Sequence, residues 1–260
     1  MKRLLVPIAF LLGLICVGNA PAQTTSDQVN QLIQEGDDFS AKQFDNQTAL
    51  EKLQAAEALD PKNPEILWRL SRTYVDIGEH LPAATDEQKQ KQLEMYEKAL
   101  DYADRAVIGN PKSSMAYTRR AIAKGRIALF RGVWESLDLV KQTRADLDTA
   151  LTLDPDNATA YYVLGRTHAK VSERPKIIRW PLGLGWANME DAIKNYEKAI
   201  ALRPDFIMYR LDCARAYVEE DEYEKARKEL TLIPTLPTED EDDAQFRTEA
   251  AKLLQEIKDK

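Results

Sequence analysis

Three segments of this 260-residue chain share one pattern, in which an amphipathic helix ends at a leucine-x-proline step and a second helix follows. They are "ALEKLQAAEALDPKNPE" from Ala49, "RADLDTALTLDPDNATAYYVLGR" from Arg144 and "AIKNYEKAIALRPDF" from Ala192. A single helical hairpin cannot bury its apolar face alone, so repeated hairpins stack into a solenoid. Glycine and proline are sparse, at 10 and 12 residues, which favours helix over sheet. The sequence therefore predicts an all-α chain of stacked hairpins.

These hairpins resemble the tetratricopeptide repeat, a 34-residue helix–turn–helix unit that ends in a proline. Its helices cross at small residues, because there the two backbones approach closely. Alignment on the terminal prolines Pro61, Pro111, Pro155 and Pro204 puts alanines at these crossings, namely Ala49, Ala56, Ala99, Ala106, Ala192 and Ala199. We predict a tetratricopeptide-type α-solenoid with repeats at about 27–61, 64–111, 113–155, 158–204 and 206–233. A C-terminal capping helix at about 240–258 would shield the last apolar face.

The repeat prolines are 50, 44 and 49 residues apart, which predicts long insertions within the repeats, since the standard spacing is 34. In the second repeat we expect the surplus in a polar loop around "EHLPAATDEQKQ". In the third repeat we expect lengthened helices at residues 113–130 and 133–153. In the fourth repeat the surplus is the apolar stretch "ERPKIIRWPLGLGW" at residues 173–186.

This set of insertions resembles the regulator of microtubule dynamics family, a branch of tetratricopeptide proteins with bacterial members. The resemblance covers about residues 45–255 and includes the segments "WRLSRTY", "VLGRTHAKVSE", "IIRWPLGLGW" and "EDAIKNYEKAI". It implies the helical-repeat fold and a non-catalytic role in protein interaction. The animal members are cytosolic or organelle-associated, and they are named for a microtubule link.

The N-terminus has the pattern of a bacterial export signal. Lys2 and Arg3 precede an apolar segment at residues 4–17, and Ala20-x-Ala22 supplies a cleavage site. We therefore predict a signal peptide at residues 1–22, a mature domain at residues 23–260 and a periplasmic location. Cleavage would change the formal net charge from −7 to −9, since two basic and no acidic residues are lost. It would leave Cys213 as the single cysteine, without a disulfide partner. An uncleaved leader that anchors the protein is the alternative.

The apolar stretch in the fourth repeat has three interpretations. Burying such side chains is favourable by about 1.5–3 kcal/mol each, so we expect a structural lid that folds over neighbouring helices. Its residues would be Ile178, Trp180, Leu182 and Trp186. The stretch could instead form a wall of a binding groove. A third interpretation is that the two tryptophans dip into a membrane surface, with Lys176 and Arg179 beside them.

In tetratricopeptide arrays the first helix of each repeat lines the concave surface. Counting from the repeat prolines places basic and aromatic residues on that surface, namely Trp68, Arg72, Arg126, Tyr162, Arg166, Lys170 and Arg215. A guanidinium group binds a carboxylate through two parallel hydrogen bonds. The groove is therefore predicted to bind an acidic or extended polypeptide segment. The alternative is that these cations pair within the chain, for instance with Asp76, Asp212 or Glu219.

The sequence lacks the usual patterns of catalysis, metal binding and nucleic-acid binding. It has no glycine-rich phosphate loop, G-x-S-x-G or H-E-x-x-H motif. Its two histidines, His80 and His168, and Cys213 are far apart in sequence, whereas a zinc site needs three or four convergent ligands. A net charge of −7 disfavours nucleic acid as a partner. We therefore expect no enzyme activity, no cofactor and no metal.

Together these features predict an exported adaptor or assembly factor that recognises a protein or peptide in its concave groove. The alternative is a membrane-surface protein, tethered by its uncleaved leader or by the tryptophan-rich loop at residues 174–186.

Overall fold

The structure, a computed structural model, describes residues 24–260, and within that range every regular element is a helix. The helices are α1 (Thr25–Lys42), α2 (Asn46–Leu59), α3 (Pro64–His80), α4 (Asp86–Gly109), α5 (Ser114–Arg131), α6 (Leu137–Leu153), α7 (Ala158–Ser172), α8 (Lys176–Arg179), α9 (Met189–Leu202), α10 (Ile207–Glu219), α11 (Tyr223–Leu232) and α12 (Asp243–Glu256). A single 3-10 turn, Ile233–Thr235, follows α11. The signal peptide predicted at residues 1–22 lies outside the described residues.

Successive helices pair into five hairpins, α1 with α2, α3 with α4, α5 with α6, α7 with α9, and α10 with α11. Each hairpin also packs on the next, and the first helices α3, α5, α7 and α10 contact one another in order. The last helix, α12, packs against α10 and α11 and covers the end of the row. This arrangement confirms the predicted all-α solenoid with a C-terminal capping helix.

The first three hairpins end in the same way, at a leucine-x-proline step in the first and third and at Gly109-Asn110-Pro111 in the second. The backbone N–H of Asp60, at the C-cap of α2, donates to Ala56, and the corresponding bonds at Asn110 and Asp154 do the same for α4 and α6. The proline that follows cannot continue a helix. Two residues later a polar side chain caps the next helix, and these N-caps are Asn63, Ser113 and Asn157.

Small residues stand where the helices of a hairpin cross, as predicted. All six crossing alanines, Ala49, Ala56, Ala99, Ala106, Ala192 and Ala199, have no solvent exposure. Gly165 of α7 shows how close the approach is, since an added Cβ would lie 2.8 Å from the ring of Tyr196 and 3.1 Å from the carbonyl oxygen of Ala192. A residue larger than glycine would therefore force α7 and α9 apart.

The insertions differ from two of the predictions. In the second repeat the loop is short, because α3 runs to His80 and a capping box between Thr85 and Gln88 starts α4 at Asp86. In the third repeat the second helix begins at Leu137 and not at residue 133. The left-handed backbone of Gly132, with φ of 98°, ends α5, and residues 133–136 form a turn that buries Val133.

The apolar stretch of the fourth repeat is only partly buried. The guanidinium group of Arg179 is buried and donates to the carbonyl oxygens of Arg174, Leu184 and Ala187. These bonds fold the loop around the arginine. Leu184 is fully buried, and Trp186 packs edge-on against His168 with ring centroids 4.9 Å apart.

The prediction of a lid is wrong for three of its four residues. Trp180 is 70% exposed and Ile178 is 53% exposed, and Leu182 also lies in the exposed range. Within this loop the buried residues are Arg179, whose hydrogen bonds tie the loop to itself, and Leu184. No helix within residues 24–260 combines the length and the apolar content needed to cross a bilayer.

Candidate functional site

The inner helices α3, α5, α7 and α10 surround a cavity of about 510 Å³. Side chains of both charges line it, together with Tyr162, Tyr196, Tyr209 and Phe206. Residues 40–46 at the junction of α1 and α2 form one further wall, and residues 239–242 form another. A site of this volume, with apolar surface and a few convergent polar groups, is typical of ligand-binding pockets.

The wall at residues 239–242, which we call the acidic strap, joins the last repeat to the first two. The side-chain amide of Asn46, in α2, donates to the carboxylate of Glu241 at 2.8 Å. Nε2 of His80, at the end of α3, lies 3.3 Å from the carboxylate of Asp242. These residues are 195 and 162 positions apart in sequence. The strap therefore closes one side of the cavity.

The strap is fixed at its other end as well. Arg203, at the end of α9, donates to the carboxylate of Glu239 at 2.7 Å and stacks over Phe206, with its guanidinium carbon 4.0 Å from the ring centroid. Asp243 is buried and accepts hydrogen bonds from the backbone N–H groups of Glu239 and Asp240. Its carboxylate thus holds the turn that leads into α12.

The cations predicted to line the groove are all paired within the chain. Arg72 binds Asp37 at 3.0 Å, Arg126 binds Glu79, Arg166 lies 3.6 Å from Asp212, and Lys170 binds Glu173 at 2.8 Å. Arg215 binds both Asp212 and Glu249. The structure thus favours the alternative that sequence reasoning left open, although Asp212 is the only expected partner that takes part.

The two predicted aromatic residues lie in different places. Tyr162 lines the cavity with a buried ring, and its hydroxyl donates to Asp212 at 2.7 Å. Trp68 does not reach the cavity, so this prediction is wrong. Its ring packs in an apolar cluster with Ala106 and Ala116, Arg69 lies 4.1 Å above it, and its indole N–H donates to Glu65.

Sequence reasoning missed the most unusual residue of the cavity, Arg119 of α5. Among the described residues Arg119 makes no ion pair, and its Nε is buried without a hydrogen-bond partner. Burial, with the charge of Arg72 acting in the same direction, lowers the pKa of Arg119 to about 10. Arg119 lies three residues before Ile122 and seven before Arg126, which is the spacing of one helix face and is a signal in the sequence that points to it.

Burial also acts on the acidic residues of the cavity. It raises the pKa of Asp76, an effect that the charges of Arg72, Arg119 and Arg126 oppose. It raises the pKa of Glu79 as well, against the nearby charge of Arg126. Burial and the neighbouring arginines thus act in opposite directions on the acids of the cavity.

The remaining candidates for catalysis have structural roles. Burial lowers the pKa of His168, which packs against Trp186 and accepts from the backbone N–H of Asn188 at 3.4 Å. Cys213 is buried, and burial raises the pKa of its thiol to about 12, so the reactive thiolate is scarce. Within residues 24–260, no three histidine, cysteine or acidic side chains are grouped so that they could hold a metal ion.

Comparison with known proteins gives a consistent result. Residues 32–258 match the profile of the family described as regulator of microtubule dynamics protein 1-3. The chain is 28% identical over 207 residues to regulator of microtubule dynamics protein 1 of Bos taurus, a match that covers 77% of this chain and 64% of the relative. It is 29% identical over 201 residues to the Mus musculus protein of the same name, covering 75% of this chain and 65% of that protein.

A solved structure with a similar fold is a thermophilic tetratricopeptide protein of Thermus thermophilus. It superposes with a TM-score of 0.61 at 18% identity, covering 89% of this chain and all of that one. At this identity the likeness concerns the fold alone. The chain spans just under two thirds of the length of the two mammalian relatives named above. Its described part has a helical-repeat fold throughout.

Proposed function

The chain belongs to the regulator of microtubule dynamics protein 1-3 family, and from this premise we propose that it is a non-catalytic adaptor or assembly factor that holds an extended polypeptide segment in its cavity. The relatives are named for microtubule dynamics. For this chain the proposal is limited to a protein-interaction role.

The observation that carries the proposal is the cavity between the inner helices. Helical repeats use such concave surfaces to bind other chains. A volume of about 510 Å³ falls within the roughly 300–1,000 Å³ of sites that enclose a small ligand. The cavity therefore suits a few residues of an extended segment and is too small for a folded domain. Its tyrosines and Phe206 offer apolar contacts, and its charged groups offer polar ones.

The chemistry of the site supports a binding role over catalysis. Cys213 is held as a thiol and His168 is buried in a packing position. The acids of the cavity lie beside arginines that neutralise them, as in Arg126 with Glu79 and Arg166 with Asp212. Such pairs stabilise the walls of a site. Asp76, whose carboxyl makes no ion pair among the described residues and has a pKa raised by burial, is the exception.

We further propose that the adaptor acts after export, in a periplasm. The support is the sequence of residues 1–22, with Lys2 and Arg3, an apolar segment and the Ala20-x-Ala22 step. Fractionation of cells and N-terminal sequencing of the isolated protein test this proposal. A chain that begins at Gln23 in the periplasmic fraction is expected, and an intact leader in the membrane fraction would contradict it.

Photo-crosslinking in the native cells tests the adaptor role. Leu129 lines the cavity and is 42% exposed, so a photoreactive amino acid fits there. Ile108, an exposed aliphatic residue at the end of α4, is the matched control outside the cavity. Position 129 should crosslink to a specific polypeptide, identified by mass spectrometry, and position 108 should not. Equal crosslinking from both positions, or none from 129, would exclude the proposed groove.

One observation favours a second function, attachment to a membrane surface. Trp180 and the neighbouring Ile177 and Ile178 are exposed, and Lys176 stands beside them. Tryptophan and aliphatic side chains next to a basic residue bind the headgroup region of a bilayer. Cosedimentation with anionic vesicles should then fall on Trp180→Ala and persist on Leu232→Ala, a control at another exposed residue. Unchanged cosedimentation of the Trp180 variant would rule this out.

A further inference from the structure

Arg119 differs from every other cation that lines the cavity. Arg72, His80, Arg126, Arg166, Lys170, Arg203 and Arg215 each have a carboxylate partner. Among the described residues Arg119 makes no ion pair, its guanidinium carbon lies 6.0 Å from the ring centroid of Trp68, and its Nε–H is buried without an acceptor. Buried charged donors are almost always paired, because an unmade hydrogen bond inside a protein is costly. The missing partner is therefore a feature of the site that needs an explanation.

Arg72, on the adjacent helix α3, supplies a second open donor. Its Nη2 binds Asp37 at 3.0 Å, but its own Nε–H is also buried without an acceptor. The helices α3 and α5 pack directly on each other, and both arginines line the cavity. Their guanidinium carbons lie 5.9 and 6.0 Å from the ring centroid of Trp68, and the charge of Arg72 helps to lower the pKa of Arg119, so the two groups are within electrostatic reach of each other. Like charges at short distance favour an anion between them.

The nearest acidic residue does not fill this place. Asp76 lies one turn after Arg72 on α3 and lines the same cavity. Among the described residues its carboxylate makes no ion pair, although its charge opposes the lowering of the Arg119 pKa. The cavity thus retains two arginine Nε–H donors without acceptors. A carboxylate is the group whose oxygens match the guanidinium fork.

Aromatic residues next to this pair define what the rest of the ligand would contact. Tyr209 is fully buried and its hydroxyl lies 3.3 Å from that of Thr159, and Phe206 packs on Tyr209 with ring centroids 4.6 Å apart. Both line the cavity. A bound segment with an acidic residue followed by an apolar one would place its carboxylate at the arginines and its apolar side chain at these aromatic rings.

We propose that Arg119, together with Arg72, recognises a carboxylate of the bound segment, either an aspartate or glutamate side chain or a C-terminal carboxylate. This inference rests on the proposed function, since it names the chemistry of the segment that the cavity holds. Recognition supplies the acceptor that Arg119 lacks in the free protein.

Peptide probes and nuclear magnetic resonance test the inference on the purified protein. One probe is an N-acetylated, C-amidated pentapeptide with glutamate between four alanines, and the second has glutamine in its place. The third is an alanine pentapeptide with a free C-terminal carboxylate, and the fourth probe is inorganic phosphate. The Nε–H signal of Arg119 should shift saturably with the first or third probe and stay unchanged with the second. A shift with the first probe identifies an acidic side chain as the source of the carboxylate, and a shift with the third identifies a C-terminal carboxylate.

Variants complete the test. Arg119→Gln should weaken binding of the active probe about tenfold or more, the effect of losing a hydrogen bond to a charged group. Arg131→Gln, at the exposed end of the same helix, makes the same charge change and should leave binding unchanged. Arg119→Gln should also unfold at the same or a higher temperature than the unchanged protein, because it removes a buried charge without a partner.

Several results would overturn the inference. The inference is wrong if the Arg119 signal shifts with the glutamine probe, shifts with phosphate alone or shifts with no probe. It is also wrong if Arg119→Gln clearly loses thermal stability. Crosslinking from a photoreactive residue at position 129 shows whether only the carboxylate inference fails or the adaptor role fails as well. If it still captures the same polypeptide in the Arg119→Gln background, the groove binds a segment but Arg119 does not read a carboxylate.

Discussion

Replacement of His80 should cause a pH-dependent loss of stability, because this side chain links the acidic strap to α3. Its Nδ1 lies 2.7 Å from the carbonyl oxygen of Asp76 and its Nε2 lies 3.3 Å from the carboxylate of Asp242. Both partners are acceptors, so both contacts are hydrogen bonds only when the ring carries two protons. Burial opposes that charge, but the bonds to Asp76 and Asp242 and the charge of Glu241 outweigh it and raise the pKa of His80.

The sign and the size of the effect follow from this geometry. A raised pKa in the folded state stabilises the protein fully below about pH 6.5, the ordinary histidine value, and the contribution is lost as pH rises through the folded pKa. Deprotonation removes one hydrogen bond, about 0.5–1.5 kcal/mol. It also weakens two half-exposed ion pairs, about 0.2–1 kcal/mol each. With solvent screening, His80→Ala should cost about 1–2 kcal/mol more at pH 6 than at pH 8.5.

Urea unfolding at the two pH values measures this difference. His80→Gln is the matched variant, since it keeps a polar side chain and removes only the titration, so it should show the same pH dependence as His80→Ala. Asp240 and Glu241, whose pKa values are raised by burial, titrate in all three proteins, and the comparison between variants therefore isolates His80. An equal cost of His80→Ala at pH 6 and pH 8.5 would refute the reasoning.

Three further predictions concern the packing of the repeats. Asp146→Ala should lower the free energy of unfolding by about 3–5 kcal/mol, because it leaves the buried Lys124 as an uncompensated cation and leaves Arg120 with Asp104 alone. A loss below about 1 kcal/mol in urea unfolding would contradict this. Gly165→Ala should destabilise by about 1–3 kcal/mol through overpacking against Tyr196, whereas Gly125→Ala, where an added Cβ meets nothing within 4 Å, should stabilise by up to about 1 kcal/mol. The reverse order of the two melting temperatures would show that α7 and α9 are not in close contact. Cys213 should react with a thiol reagent only as fast as the protein unfolds, since the thiol is buried with a pKa raised to about 12, and rapid labelling of the native protein would disprove its burial.

Local sequence patterns predicted most of the fold. The alanine crossings and the leucine-x-proline steps depend on neighbours within one hairpin, and the structure places Ala49, Ala99 and Ala192 in such crossings without exposure. The start of α4 was harder to predict, because the capping box of Thr85 and Gln88 lies within a polar segment that resembles a loop.

Long-range and side-chain effects set the limits of sequence reasoning. The contact between Asn46 and Glu241 joins repeats that are not neighbours, so it depends on the summed curvature of all hairpins. Trp180 is exposed whereas the neighbouring Arg179 is buried and binds backbone carbonyl groups, an arrangement that no hydrophobic pattern reveals. Counting positions from the prolines found Arg126 and Tyr162 in the cavity but missed Arg119, which occupies another position of the same helix face.

Closure of the cavity by the acidic strap can be measured directly by intramolecular crosslinking. The variant Asn46→Cys, Glu241→Cys places two thiols where the first and last parts of the solenoid meet, while the buried Cys213 stays unreactive. A short bis-maleimide should link positions 46 and 241 within single molecules, as found by mass spectrometry. The control pair Ile108→Cys, Glu241→Cys should stay unlinked, since Ile108 is exposed outside the cavity. Equal linking in the two proteins, or links only between molecules, would show that the solenoid is open and that the inner helices do not enclose a site.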